Sequence, residues 1–243
     1  MGAIRSAPAI GSAQLIAFLL ILNSSACTKL PRDPENTLQL VQQHHRMRVG
    51  VAECPPWVVR TKGEPAGVEV ELARQFAASL AAAPEWFWGG EQEHMTALEC
   101  FELDLVLAGL DSNTTWKKKV GLTRAYFDEQ ILVGASAGTA LPRALKGSTV
   151  AVMGGDVAAA YLRKKGARPS FVTDLSHVSG LAAAPEWRLH QLGFRLTDLR
   201  LLERKHVKAV PPGENGWLKL LEQFLQQHQS GVEPLAENTE AQP

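Results

Sequence analysis

Between Met47 and Leu107 the sequence alternates short apolar runs with amphipathic stretches, and that alternation leaves few folds open. Met47-Arg48-Val49-Gly50-Val51 has the character of a strand and ends in Cys54-Pro55-Pro56-Trp57, whose prolines stop both strand and helix. From Val68 an apolar residue recurs every fourth position through Leu72, Phe76 and Leu80, which is helical spacing, and Glu69 and Glu71 suit the positive end of the helix dipole. Pro84 ends that helix. Trp86-Phe87-Trp88 reads as a buried strand closed by Gly89-Gly90, and a second helix over about 93–101 leads into the strand Leu103 to Leu107. Strand, helix, strand, helix, strand predicts a parallel sheet with right-handed crossovers, and ligands of such sheets bind beyond the carboxyl ends of the strands.

The second half repeats the pattern more loosely. Ile131-Leu132-Val133 is followed by a strand at Thr149 to Val152, and Gly154-Gly155 then turns into a helix. Asp156 can cap that helix, Arg163, Lys164 and Lys165 fill its last turn, and Gly166 stops it. Phe171-Val172 is a short candidate strand, residues 187–192 are helical in pattern, and His206 to Val210 reads as a strand returning toward the first half. A last helix carries Trp217, Leu218, Leu221, Phe224 and Leu225 on one face, and the polar residues 232–243 are expected to be disordered. The heptapeptide Leu-Ala-Ala-Ala-Pro-Glu-Trp occurs at 80–86 and again at 181–187; its flanks do not match, and no repeat architecture follows.

Composition bounds the chemistry. With 243 residues, 45% of them hydrophobic, the chain can bury a core. Its 25 basic and 25 acidic residues give no global pull toward nucleic acid, so no nucleic-acid partner is expected. The seven histidines and three cysteines show no metal-ligand spacing, and neither a metal nor a cofactor is expected. Residues 1–26 read as a signal peptide: Arg5 is basic, Leu15 to Leu22 form an apolar run too short to span a bilayer, and Asn23-Ser24-Ser25-Ala26 leads to Cys27. A cysteine placed there resembles a bacterial lipobox, whose thiol becomes lipidated, although Ser24 stands where Leu is usual. Export to the periplasm and a membrane anchor at Cys27 are the expectation, with 27–46 as the linker. Cys54 and Cys100 fall at opposite ends of one sheet, about 17 Å apart, beyond the roughly 7 Å a disulfide tolerates between Cα atoms. Both are expected to be free.

The order of these segments resembles the bacterial extracellular solute-binding proteins of family 3, the polar-amino-acid binders of ABC transporters. The matching pieces are Met47 to Val51 with its Pro-Pro-aromatic loop, Gly67-Val68-Glu69-Val70-Glu71-Leu72-Ala73, and Glu102-Leu103-Asp104-Leu105-Val106 running into Ala108-Gly109-Leu110. Trp116 to Thr123 with Tyr126-Phe127, and Leu145 to Val152, complete the series. The resemblance implies an α/β, type II periplasmic-binding-protein-like fold of two lobes with the ligand between them. Lobe 1 would comprise 47–133 and 205–231, and lobe 2 a reduced 134–204 lacking the usual third strand. It also implies a small-molecule ligand, an ABC permease as partner, and no catalysis.

Amino-acid-binding members of the family carry an Arg where this chain has Trp116, and a Gly-Thr-Thr-like helix start where it has Gly155-Asp156-Val157. Trp cannot fork onto a carboxylate, and Asp156 repels one. The expected ligand is therefore a small polar, cationic or aromatic solute rather than an α-amino acid held through its carboxylate. Trp57 and Trp116 either pack or sandwich a ring or cation; Asp156 either caps its helix or supplies a counter-charge. Glu53, Gly109, Asp111 and Thr115 follow strand ends and complete the candidate ligand site with Gly155. Two rival readings remain: a sensor or scaffold lipoprotein with a degenerate site, and a serine hydrolase, since Gly134-Ala135-Ser136-Ala137-Gly138 matches the nucleophile-elbow pattern.

Overall fold

A computed structural model describes Gly2 and residues 33–155 and 157–240. Cys27, Asp156 and the proposed signal segment lie outside the described residues. Helix α1 (Thr37–His44) precedes β1 (Arg46–Val51), α2 (Val68–Ser79), β2 (Ala83–Trp88), α3 (Glu91–Glu99) and β3 (Leu105–Leu107). A 3-10 turn at Thr115–Lys118 leads to β4 (Gly121–Leu122) and the long β5 (Phe127–Ala135). Then come β6 (Thr149–Met153), α4 (Ala158–Lys164), β7 (Arg168–Val172), β8 (Leu181–Pro185), α5 (Glu186–Gln191) and β9 (Arg195–His206). The chain ends with β10 (Ala209–Val210), α6 (Asn215–Gln227) and α7 (Val232–Glu240).

Two five-stranded sheets result, ordered β2-β1-β3-β10-β4 and β7-β6-β8-β5-β9. β1 pairs in parallel with β2 and β3, as the βαβ alternation requires, and β6 pairs in parallel with β7 and β8. The antiparallel strands are the elements that tie the lobes together: β10 joins the first sheet, and β5 pairs with β9 in the second. In the first lobe α2 lays Val68, Leu72 and Phe76 against β1 and β3, and α6 adds Trp217, Leu221 and Leu225 to the same core. Pro169 sits in β7, the edge of the second sheet, where a missing N–H costs least.

Several sequence expectations are corrected here. The third strand of lobe 2 exists as β8; what is short is the β7–β8 connection, residues 173–180, which carries no helix where parallel strands usually need a dozen or more residues. Its Leu175 and Val178 cover the sheet face that a crossover helix would otherwise cover. All of β5 pairs within the second sheet, so Ile131 to Val133 belong to lobe 2 and the chain changes lobe at about 123–126 and again at 207–208. Residues 232–240 are helical rather than disordered, because Val232 and Ala236 bury into the lobe 1 core. The linker 27–46 likewise ends in a docked helix: Glu214 accepts hydrogen bonds from the Glu35 and Thr37 backbone N–H groups, and Val41 is buried. β2 is an edge strand with Phe87 exposed, not a buried one.

A fully buried ion pair closes lobe 1. Glu69 Oε1 lies 2.7 Å from Lys208 Nζ and accepts a hydrogen bond from the Tyr126 hydroxyl at 2.8 Å, while Oε2 accepts one from the Gly109 N–H. Burial alone would raise the Glu69 pKa, but the Lys208 ammonium and these hydrogen bonds hold it below the ordinary 4.5. Burial pulls Lys208 down to about 8, with Glu69 opposing, so the pair stays ionised at neutral pH. A carboxyl whose folded pKa is depressed stabilises the fold above its unfolded value, and that stability is lost as pH falls below it. Thermal melts should therefore show stability dropping as pH falls below about 4.5. Lys208→Met, which strands a buried carboxylate, should cost about 3–5 kcal/mol at neutral pH and flatten the acid limb.

Candidate functional site

The two chain crossings meet the loop after β1 at a cluster of rings and charges. Trp57 is buried against His206, with ring centroids 3.9 Å apart, and lies 5.8 Å from Phe127. The Trp57 loop is fixed from behind, because the Pro56 and Trp57 carbonyls accept the first N–H groups of α2, from Val68 and Glu69. Gly67 makes this approach feasible: a Cβ there would lie 2.6 Å from the Trp57 carbonyl oxygen. From β5, Glu129 enters the cluster almost fully buried. Its Oε1 accepts a hydrogen bond from Trp187 Nε1 at 3.2 Å, and its Oε2 lies 3.5 Å from Arg204 Nη1 and 3.4 Å from His206 Nε2. The other ring nitrogen of buried His206, Nδ1, has no partner among the described residues.

Beside this cluster lies a cavity of about 350 Å³ that draws its walls from both lobes. Pro55, Pro56 and Trp57 supply the lobe 1 wall, Glu129 and Arg204 the crossing strands, and Met153, Asp174, Trp187 and Arg188 the lobe 2 wall. Hydrogen bonds from the Ser176 hydroxyl and N–H hold the Asp174 carboxyl below its ordinary 3.8. The lining thus carries two acids and two guanidinium groups around two indoles. A wider groove of about 860 Å³ lies between β2 and α3, lined by Phe87, Glu93 and Leu103. It touches one lobe only, so lobe closure cannot enclose a solute there.

Of the described residues among those singled out for the ligand site in the sequence, Trp57 alone lines the interlobe cavity. Asp111 shapes the backbone: Oδ1 accepts the Asn113 N–H and Oδ2 the Lys205 N–H, pinning the loop after β3 to the returning strand. Glu53 lies 3.6 Å from Arg60 on the exposed surface. Gly109, at φ +61°, gives its N–H to Glu69 and packs where a Cβ would meet Cys54 Sγ at 2.7 Å. Thr115 opens the 3-10 turn, and the next residue, Trp116, turns its indole to donate to Glu91 Oε1 at 2.9 Å while packing on the lobe 1 cluster around Met95 and Leu98. Gly155, at φ +81°, forms the turn after β6. Sequence reasoning missed Glu129, Arg204 and Trp187. Nothing in the sequence set Glu129 apart from Asp128 and Gln130 beside it; for Trp187 the signal was the Pro-Glu-Trp ending of the heptapeptide.

Ser136 is committed to its own turn. Its hydroxyl accepts the Gly180 N–H at 2.8 Å and shares a hydrogen bond with Thr139, and a turn rather than a helix follows it. The β5–β9 register places it at the end opposite His206, about 30 Å along the strands. Both Cys54 and Cys100 are free, as expected. Burial and the nearby Glu69 carboxylate push the Cys54 thiol up to about 11. A fluorophosphonate probe should leave Ser136 unlabelled. A thiol reagent should modify exposed Cys100 promptly and Cys54 only on unfolding; fast reaction at both would contradict the packing of the Gly109 loop.

Two α/β lobes, joined by crossing strands and sharing a cavity, define a type II periplasmic-binding-protein-like molecule. Residues 47–232 match the bacterial extracellular solute-binding proteins, family 3, and the chain belongs to that family, with a solute-binding role. Among solved structures, it is similar to an ancestral cationic amino acid solute-binding protein, at 18% identity and a TM-score of 0.69, covering 83% of this chain and 98% of that one. A polar amino acid ABC uptake transporter substrate-binding protein from Streptococcus thermophilus aligns at 15% identity and a TM-score of 0.65, covering 84% and 88%. An ancestral cyclohexadienyl dehydratase shares the fold at 18% identity and a TM-score of 0.58, covering 83% and 95%. No curated protein matches the sequence significantly.

Proposed function

We propose that this protein captures a small polar solute between its lobes outside the cytoplasm and delivers it to an ABC permease without altering it. The observation that carries this reading is the cavity shared by both lobes, with the Glu129 carboxylate beside Trp57 and Trp187. Its volume lies at the lower end for small-molecule sites. The indole faces and the carboxylate suit a cationic or aromatic portion of the solute, and the pairing of two acids with Arg188 and Arg204 suits a molecule of low overall charge. Trp57 is kept as a solute contact, Glu129, Trp187 and Arg204 join it, and the Gly154–Gly155 turn after Met153 is assigned to the rim. With Trp116 in place of the family's Arg, an α-amino acid held through its carboxylate at that position is not the expected solute. The Ser136 hydroxyl, committed to its turn, supports binding rather than catalysis, and the leader with Cys27 supports export and a lipid anchor.

A thermal-shift screen over amines, amides, amino acids and small aromatic cations tests this. At about a hundredfold excess over Kd a ligand adds about 2.7 kcal/mol, which for a chain of this size is a rise in Tm of roughly 5–10 °C. Trp187→Ala should abolish the shift, whereas Trp116→Ala should leave most of it. Absence of stabilisation by every class would favour a sensor or scaffold that does not deliver a solute.

A further inference from the structure

Charge is evenly balanced over the whole chain but not along it. Between Leu141 and Thr173 stand six basic residues, Arg143, Lys146, Arg163, Lys164, Lys165 and Arg168, against the single acid Asp156, so this stretch alone carries a formal +5. The fold gathers these cations. Arg163, Lys164 and Lys165 end or follow α4, Arg168 opens β7, and Lys146 packs against Gly166 between them. All are exposed, and none forms an ion pair among the described residues. Cations at a helix end suit its dipole, which accounts for two or three of them. It does not account for Lys146 or Arg168, nor for the two rings among them. Tyr161 is 38% exposed and Phe171, on the open edge of the second sheet, is 55% exposed. Arg163 lies 5.8 Å from the centre of the Phe171 ring, and Lys164 lies 5.2 Å from that of Tyr161.

Exposed aromatic rings set among lysines and arginines that no acid offsets are the composition of a surface that rests on an anionic bilayer. The rings enter the headgroup boundary, and the long cationic side chains extend along the surface to lipid phosphates. We infer that this face of lobe 2, built from Lys146, Arg163, Lys164, Lys165 and Arg168 around Tyr161 and Phe171, docks the protein on membranes containing anionic lipid. No patch residue lines the cavity, although Phe171 sits next to last in β7, toward the cavity end of the strand. The patch cations lie at or before the starts of β6 and β7, whereas the lobe 2 cavity residues Met153 and Asp174 lie at or beyond the ends of those parallel strands, about 17 Å away. Docking and solute capture are therefore separable, and the first can fail without the second.

The test uses the full chain with Cys27→Ser, which removes the lipid attachment, and vesicles of phosphatidylcholine alone or mixed with phosphatidylglycerol. Sedimentation should show binding that needs the anionic lipid and that fades between about 50 mM and about 500 mM salt. Adding Lys164→Glu, Lys165→Glu and Arg168→Glu should weaken it by about fivefold or more per cation changed. Tyr161→Ser with Phe171→Ser, which keeps every charge, should also weaken it. Equal binding to both vesicle types, or an unchanged affinity in a charge-reversed protein that still melts cooperatively, would overturn the inference. So would tighter binding to a DNA duplex than to anionic vesicles at the same salt, which would assign the patch to nucleic acid.

Discussion

The buried pair of Glu69 and Lys208 is the constraint on which the site depends. Its members belong to separate parts of the chain: Glu69 starts α2, directly behind the Trp57 loop, and Lys208 follows the second crossing between lobes. Tyr126, at the first crossing, donates to the same carboxylate, and Gly109 brings in the loop after β3. One carboxylate thus fixes both hinge segments and two strand-end loops. Two charges withdrawn from water gain little net stability over an apolar packing of the same volume, but removing one partner leaves the other stranded. What the pair enforces is position. Trp57 can stack on His206 only if α2, its loop and the returning strand hold this registration.

Much of the fold was legible because period and punctuation agree with burial. Val68, Leu72 and Phe76 line one face of α2, and Pro55-Pro56 stops β1 where the sheet meets the cavity. The heptapeptide at 80–86 and 181–187 shows where local reading ends. In the first copy Leu80 follows α2 and Ala83 to Trp86 run into β2; in the second, Leu181 to Pro185 form β8 and Glu186-Trp187 begin α5. The same Glu-Trp is strand in one place and helix in the other. Register against neighbouring strands decides: Trp86 pairs with Val49 on the edge of sheet one, while Ala182 to Ala184 are held between β6 and β5. The helix at 232–240 escaped detection for a similar reason. Its sequence is polar, and its two buried anchors, Val232 and Ala236, mean little until the lobe 1 core is there to receive them.

The site was less legible than the fold. Trp57 was accessible from sequence because proline marks the loop that carries it. Asp111 and Trp116 occupy the strand-end positions from which ligands are usually reached, yet their polar atoms are taken up by Lys205, Asn113 and Glu91. Such capture by backbone and neighbouring side chains leaves no trace in a one-dimensional pattern. Glu129 and Arg204 escaped notice because they lie within strands, where charge ordinarily marks a solvent-facing position. Here β5 and β9 pass between the lobes, so a residue in mid-strand can face a cavity instead of water.

That placement bears on how binding and closure are coupled. A solute shifts an equilibrium between open and closed lobes only as far as it contacts one state better than the other. Groups confined to one lobe bind equally well in both. Trp57 follows β1 in lobe 1 and Trp187 starts α5 in lobe 2, and both are buried in one hydrophobic cluster, so in this structure the two walls already meet beside the cavity. Glu129 already links the crossing strands to lobe 2 through Trp187 Nε1, while His206 links the same carboxylate to the Trp57 stack. A solute seated against Glu129 therefore meets a group that both walls share. The connection without a helix at 173–180 adds to this, because it lets Asp174 reach the cavity from a short loop instead of from a helix end, keeping the lobe 2 wall thin and close to the hinge.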